Sequence, residues 1–524
     1  MTGLSNSTIV LNALYRLAET DLRAALERMA EYDAILADDF HYAAFRPGVL
    51  INAGCSLDDP APIQDGIHAL AAILDSADPR MAGWRTALLY NLGNGYAALA
   101  AHERRTHRDP DSPLLQRTKW AYRDAIAAGD SRDRHLQAEI CTNYGNALSN
   151  CGRHYEALLA YDQALRAEPT HAMAMGNKGI ELERYAHLAP NQSGLLLAEA
   201  YELCRAAAGD KALDRTGLAS ARAIFAKHRD GLEPVYVEWQ ERLVAARSRG
   251  RVNHKWIGEE EHHHRFAADH GLYLNLCVHD WPCSEQHTDA LFFSYVSPLS
   301  DPDPFPRLAR YFNQAKEDYA TARYLLAEAQ RPTPRRERIS DWTSYADLLE
   351  YAEYGLTPGL VKAAYATAYN VLDKIAVFLK WDLGLPEAER TIDFKRVWRQ
   401  KNAPTLRPEI AAKGDPSLFA LYDISLDLRD PGFERLGAVR HAITHRHLVV
   451  HDWLLIVGEN STEDEHIRLD ELIERGIELL RLVKAALIYL AAYLSQDQER
   501  KTAAMQGLVP PLPISWQHQI RGDR

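Results

Sequence analysis

The chain has 524 residues, which is enough for two to four domains at about 100–200 residues each. Apolar residues make up 47 % and charged residues 25 %, a composition typical of globular proteins. The net charge of −12 argues against a protein that coats nucleic acid through its overall charge, so any such contact requires a local basic patch. The sequence has no signal-peptide pattern, no run of about 18 apolar residues and no CxxC pair, which predicts a cytoplasmic protein with reduced thiols and no membrane span.

The first elements in chain order form an internal repeat. Gly145 and Gly179 are 34 residues apart, and each follows an asparagine two positions earlier. An earlier copy contains Gly93 and carries an insertion before the next copy begins. This pattern resembles the tetratricopeptide repeat, in which small residues lie where two helices cross. The resemblance implies stacked helix pairs over residues 1–250, clearest at 85–190, that form a superhelix with a groove for a protein or peptide ligand.

A segment of different character follows the repeats. Residues 271–298 are rich in aromatic and turn residues, and a proline-rich stretch ends near residue 306. We therefore predict a linking segment at 251–305, a second helical domain at 306–506 and a peripheral tail at 507–524.

The second domain is predicted to be a bundle of four or five helices. Apolar residues recur at helical spacing in each of its long segments. The predicted helices span 308–330, 358–381, 416–428 and 469–501, in addition to the segment 435–451. Together with the repeats, this predicts an all-α protein.

The motif that carries chemistry is the string Arg440-His441-Ala442-Ile443-Thr444-His445. His441 and His445 are four positions apart and share a helix face, whereas Arg440 and His445 are offset by about 140°. An arginine can hold a phosphate, and a histidine, with a reference pKa of about 6.5, can move protons at neutral pH. RNA supplies its own nucleophile in the ribose 2′-hydroxyl. These residue types therefore suit metal-free RNA cleavage, in which a second subunit could complete the site.

The string resembles the motif of the HEPN superfamily (higher eukaryotes and prokaryotes nucleotide-binding), in which an arginine precedes a histidine by a few residues. Residues 369–378 resemble the helix before the motif, and 272–275 resemble the segment that leads into such domains. The resemblance covers roughly residues 260–500 and implies a metal-independent ribonuclease without a cofactor. It also implies a cleft between two protomers, and thus a homodimer.

The resemblance assigns roles to three residues. It implies that Arg440 and His445 are catalytic and that His441 is their polar helper. Many members have asparagine where this chain has His441, which changes how that position titrates. Family members act in phage defence or as toxins, and the RNA cut here would be a tRNA or an mRNA.

A basic segment before the motif is a candidate RNA-binding patch. Lysines and arginines would hold phosphates, and an interleaved tryptophan would stack on a base. The alternative is a surface loop around a core tryptophan. The residues of this predicted patch are Lys395, Arg396, Trp398, Arg399 and Lys401.

Histidines and cysteines between residues 262 and 287 raise the question of a zinc site. Cys277 and Cys283 are separated by five residues, and three adjacent histidines begin at His262. This spacing fits no standard zinc finger, so no metal site is predicted.

Two non-enzymatic alternatives stay open at this stage. In the first, the repeats bind a protein and the helical bundle only dimerises or binds RNA or protein. In the second, the domain is the partner or target of a nucleotidyltransferase, as some HEPN domains are. Either alternative would leave Arg440 and His445 without a catalytic role.

Overall fold

The structure is a computed structural model of the chain. It describes residues 6–36, 39–76, 78–81, 83–106, 112–129, 133–211, 213, 219–249, 258–283, 285–293, 305–331, 333–346, 352–400, 405–429, 431–452 and 465–504. The predicted tail at 507–524 and part of the insertion before Gly145 lie outside these residues. Among the described residues, no helix combines the length and the apolar character needed to cross a membrane.

The chain divides into two compact units. The N-terminal unit comprises Met1–Gly250 with Val278–Trp281, and the C-terminal unit comprises Arg251–Cys277 with Pro282–Arg524. Most of the segment predicted to link two domains therefore clusters with the C-terminal unit. Helices dominate both units, so the prediction of an all-α protein is confirmed.

The N-terminal unit consists of helices that pack in consecutive pairs. Between α3 and α10 the partners are α3 with α4, α5 with α6, α7 with α8, and α9 with α10. The helices are α1 (Asn6–Thr20), α2 (Leu22–Leu36), α3 (Phe40–Leu57), α4 (Pro60–Asp75), α5 (Arg85–Thr106), α6 (Pro113–Ala128), α7 (Arg134–Asn150), α8 (His154–Ala167), α9 (Ala172–Tyr185), α10 (Ser193–Gly209) and α11 (Ala219–Ser248).

Small residues allow the paired helices to approach closely. A β-carbon at Gly145 would lie 2.6 Å from the ring of Tyr161, and one at Gly179 would lie 2.6 Å from Sγ of Cys204. Both distances are shorter than a van der Waals contact, so a larger residue would force the helices apart. The glycines that recur at the 34-residue period thus mark helix crossings.

Polar side chains repeat along with the glycines. Oδ1 of Asn146 accepts hydrogen bonds from the Tyr161 hydroxyl of its own helix pair and from Nδ2 of Asn177 in the next pair, both at 2.8 Å. One repeat earlier, Oδ1 of Asn94 likewise accepts hydrogen bonds from the Tyr122 hydroxyl and from Nδ2 of Asn143. Each asparagine therefore ties a helix pair to its neighbour.

The C-terminal unit is a helical bundle with one small sheet among its described residues. Its helices are α12 (Glu259–Asp269), α13 (Phe305–Gln330), α14 (Pro334–Ser340), α15 (Leu356–Asp382), α16 (Pro408–Ala411), α17 (Pro416–Asp427), α18 (Pro431–His445) and α19 (Leu469–Ala504). The strands β1 (Leu448–His451) and β2 (Glu465–Arg468) pair in parallel, and the sequence analysis did not predict them. The predicted long helices match α13, α15, α17 and α19 to within three residues at each end.

Helix α15 is central to this bundle. It packs against α13, α18 and α19, and most of its apolar side chains are buried. One face of α15 also carries polar residues that meet α18. The helix that precedes the motif in sequence thus also supports it in space.

Candidate functional site

The motif lies on α18, whose buried stripe sets the direction of each motif side chain. Leu436, Val439 and Ala442 are buried at helical spacing and hold the helix against the bundle. The adjacent positions therefore point outward, and both His441 and His445 are exposed. Their rings lie 5.2 Å apart on one face of the helix.

Arg440 points in a different direction, toward α15. Its Nη2 atom donates to Oδ2 of Asp373 at 3.4 Å, and its guanidinium lies 5.4 Å from the ring centre of Tyr369. The ion pair and the aromatic face together orient the guanidinium. The offset between Arg440 and His445 expected from helix geometry is therefore present within this one chain.

One nitrogen of Arg440 is without a hydrogen-bond partner in the part of the chain that the structure describes. Its Nε atom is buried and has no hydrogen-bond partner among the described residues. A buried donor without an acceptor costs about 1–3 kcal/mol, and a bound anion would remove that cost. The guanidinium is thus held by Asp373 and Tyr369, while the side chain as a whole stays about 29 % exposed.

Asp373 connects the motif helix to the segment before α16. Its Oδ1 atom accepts the backbone N–H of Phe394 at 3.1 Å, while Oδ2 faces Arg440. Burial raises the pKa of Asp373, and the Phe394 N–H, Arg440 and Lys395 act in the opposite direction. Burial also raises the pKa of Tyr369 beside it. The half-buried carboxylate of Asp373 therefore lies between two cations, Arg440 and Lys395.

The structure brings Lys395 of the predicted basic patch to the motif helix. A β-carbon at Gly437 would lie 3.0 Å from Nζ of Lys395, so glycine at this position lets the ammonium approach α18. Lys395 and Arg440 thus place two positive charges around Asp373. Two cations at one carboxylate are suited to binding a phosphate group.

The rest of the predicted patch does not converge on the motif. Arg396 is exposed and pairs with Asp393 at 3.3 Å, and Arg399 donates to the Tyr422 hydroxyl. Lys401 lies outside the described residues.

The base-stacking role predicted for Trp398 is wrong. Its side chain is completely buried, and its indole Nε1 donates to the carbonyl of Phe394 at 2.7 Å. An indole enclosed in this way presents no face to a nucleotide. Trp398 is a core residue, which is the alternative that the sequence left open.

Sequence reasoning did not assign Tyr369, Asp373 or Lys395 to the motif as a group. A signal was present, because Asp373 is an acid in an apolar stretch of a long amphipathic helix. Such an acid is often either buried with a partner or functional. The partner, Arg440, lies 67 residues away, and no spacing rule connects the two positions.

The segment rich in histidine and cysteine forms separate local contacts. Nε2 of His262 lies 2.7 Å from the carbonyl of Ala327, His263 faces Glu328, and Nδ1 of His264 lies 2.6 Å from the Tyr273 hydroxyl. The three adjacent histidines thus point to three different places. The thiols of Cys277 and Cys283 lie 3.1 Å apart in the following turns.

A comparison with protein-family models matches residues 299–497 to the family described as LA2681-like HEPN. Comparisons with curated proteins and with solved structures find no match. The matched residues begin before α13 and end within α19, so they include Asp373, Lys395 and the whole string from Arg440 to His445. The resemblance noted in the sequence is confirmed for this region: the C-terminal part of the chain contains a domain of the HEPN superfamily.

Proposed function

We propose that the C-terminal unit is a metal-independent endoribonuclease. The observation that carries the proposal is the state of Arg440, whose guanidinium is oriented by Asp373 and Tyr369 but keeps a buried Nε donor that finds no partner in the described part of the chain. The Arg440 side chain is about 29 % exposed, and its positive charge suits an RNA phosphate. His445 lies on the same helix, exposed to an approaching strand.

The reaction needs only groups that the protein and RNA supply. The ribose 2′-hydroxyl loses its proton to a base and attacks the adjacent phosphorus, while the bond from phosphorus to the 5′-oxygen breaks. The products are a 2′,3′-cyclic phosphate and a 5′-hydroxyl end. His445 serves as general base or general acid, and Arg440 neutralises the charge that grows on the phosphate oxygens.

The two histidines and Arg440 project in different directions from α18, which supports a site completed by a second copy of the chain. In a homodimer, Arg440 of one protomer and His445 of its partner could reach one phosphate. The repeated helix pairs, as tetratricopeptide repeats, would bind a protein or peptide that controls cleavage. In the cytoplasm, such an enzyme would act on tRNA or mRNA as a toxin or in defence against phage.

The test uses the full chain and its His445→Ala variant. We expect the variant to lose cleavage by about 10²–10⁴-fold, because general acid–base catalysis contributes that much. Sequencing of RNA ends after induction should show new 2′,3′-cyclic phosphate termini with the wild type only, and growth inhibition should be relieved by the variant. Cleavage should persist in EDTA.

A matched control is available two residues further on. His447 is exposed like His445 but lies outside the motif, so His447→Ala should cleave as the wild type does. Undiminished cleavage by His445→Ala would overturn the proposal.

The second candidate is a non-catalytic module that binds RNA or protein. It is favoured by the commitment of Arg440 to Asp373 rather than to the histidines of its own helix. RNA that stays intact across many substrates, while still binding the protein, would support this candidate.

A further inference from the structure

A second positively charged surface lies at the beginning of α13. Arg307, Arg310, Tyr311 and Gln314 share one face of this helix and line an open cavity of about 590 Å³. The cavity is large enough for a nucleotide-sized group, since ligand pockets commonly span about 300–1,000 Å³. It belongs to the C-terminal unit, and none of the motif residues lines it.

Aromatic stacking organises this surface. The guanidinium of Arg307 lies 4.2 Å from the ring centre of Trp381 at the end of α15. The ring of Tyr311 is stacked with the same indole, with centres 6.5 Å apart and planes at 21°. A guanidinium that lies over an indole can present its opposite side to a base as a positively charged surface.

The charge of this surface is not neutralised within the described part of the unit. There, neither Arg307 nor Arg310 forms an ion pair, whereas Arg323 of the same helix pairs with Asp289. Two carboxylates on the same two helices are engaged with other residues. Asp318 pairs with Lys374, and Asp382 accepts a hydrogen bond from the Tyr493 hydroxyl at 2.6 Å.

The surface and the motif are connected through α15. This helix carries Asp373, which holds Arg440, and Trp381 eight residues later. Eight residues correspond to about 12 Å along a helix axis and to a rotation of about 80° around it. A strand of a few nucleotides that meets Arg440 could therefore extend to Trp381.

We propose that the surface formed by Arg307, Arg310, Tyr311 and Trp381 binds single-stranded RNA beside the motif. A base stacks on the guanidinium of Arg307, and Arg310 contacts a phosphate. Stacking and unpaired arginines are the two features that single-strand binding requires, and neither depends on base identity. This inference rests on the proposed function, since it supplies the substrate strand for that site.

The test measures binding without cleavage. The full chain carrying His445→Ala is titrated into a fluorescein-labelled single-stranded oligouridylate at several salt concentrations. Adding Arg307→Ala and Arg310→Ala should weaken binding by about tenfold. It should also lower the salt slope by about 0.7 for each lost phosphate contact.

Two further variants separate stacking from charge. Arg307→Lys keeps the charge but not the planar stack, so affinity should fall while the salt slope stays the same. Arg335→Ala with Arg338→Ala is the control, because these exposed arginines on α14 have the same spacing. An equal loss of binding in this control would overturn the proposal, since any pair of charges would then suffice.

The outcomes distinguish this inference from the proposed function. If the Arg307/Arg310 variant binds RNA as before and cleavage still depends on His445, the proposed RNA-binding surface is wrong and the proposed ribonuclease activity stands. If that variant loses RNA binding and the wild type does not cleave RNA, the proposed RNA-binding surface is supported and the proposed ribonuclease activity is wrong. Competition by polyglutamate as strong as by RNA overturns the proposal in favour of an acidic protein partner.

Discussion

The two units satisfy their polar groups in different ways. In the N-terminal unit, Oδ1 of Asn146 is shared by Tyr161, 15 residues away, and Asn177, 31 residues away. In the C-terminal unit, Arg440 depends on Asp373, 67 residues away, and keeps a buried Nε for which the described residues supply no acceptor. The amide oxygen of Asn146 thus has both of its partners within the repeats, whereas Arg440 keeps one donor without a partner among the described residues.

This difference distinguishes polar residues that support the fold from polar residues that can bind a ligand. A repeated unit uses the same short-range contacts in each copy, so the asparagines that link its helix pairs have partners whatever is bound. A site must instead keep donors for a ligand, which places a cost on the folded state that the surrounding helices offset. Four predictions test how far this division between the units holds.

The largest effect is expected at Trp398. Because its indole fills the core of the C-terminal unit, Trp398→Ala should lower the free energy of unfolding by about 3–5 kcal/mol. Hydrogen exchange followed by mass spectrometry should show the loss in the C-terminal unit. Arg396→Ala, at an exposed position two residues earlier, should change stability by less than about 0.5 kcal/mol. Weaker RNA binding by Trp398→Ala at unchanged stability would restore the stacking role.

The fate of this tryptophan shows what the sequence could and could not predict. The helical spacing of apolar residues, together with the composition, predicted the long helices, because an apolar stripe must face a core. The same reasoning predicted that Arg440 and His445 diverge on α18. A basic run does not reveal which of its side chains point inward, because burial of Trp398 and approach of Lys395 depend on α15, α17 and α18 together. The partners of Arg440 required the fold.

The second prediction concerns helix crossings in the N-terminal unit. A β-carbon at Gly145 would lie 2.6 Å from the Tyr161 ring, so Gly145→Ala should lower the free energy of unfolding by about 1–3 kcal/mol. Gly231, within α11, has no atom within 4 Å of its would-be β-carbon. Gly231→Ala should therefore stabilise by about 0.5–1 kcal/mol. Urea titrations of both variants would measure these changes. If both substitutions changed the free energy of unfolding in the same direction, Gly145 would not act as a helix-crossing residue.

The third prediction addresses the anchor of the motif. Asp373→Asn keeps an acceptor for the Phe394 N–H but removes the charge that faces Arg440. We expect RNA cleavage to fall about tenfold in kcat, with KM and melting temperature nearly unchanged, because the guanidinium loses its orientation. Asp393→Asn, whose carboxylate pairs with exposed Arg396, is the matched control. A drop in melting temperature that accounts for the lost activity would mean that Asp373 is only structural.

The smallest effect is expected at His171, a helix cap within the repeats whose hydrogen bond depends on pH. Nδ1 of His171 accepts the Ala174 N–H at the start of α9, which requires the neutral imidazole, and burial lowers the pKa of His171. The unfolded chain therefore takes up this proton at a higher pH than the folded chain. The contribution, about 1 kcal/mol for a helix cap, is present above the unfolded pKa of about 6.5 and is lost as the pH falls through the lowered folded value.

Neighbouring His135 should behave in the opposite way. A hydrogen bond from its ring Nδ1 to the Glu168 carboxylate raises the pKa of His135, so its contribution is present below the unfolded pKa and is lost as the pH rises through the folded value. His171→Asn keeps a capping acceptor that does not titrate, so acid should destabilise this variant less than the wild type. His135→Gln should remove the opposing contribution and make acid more destabilising. Thermal melts across this pH range would measure both, and a steeper acid dependence in His171→Asn would show that the cap does not control α9.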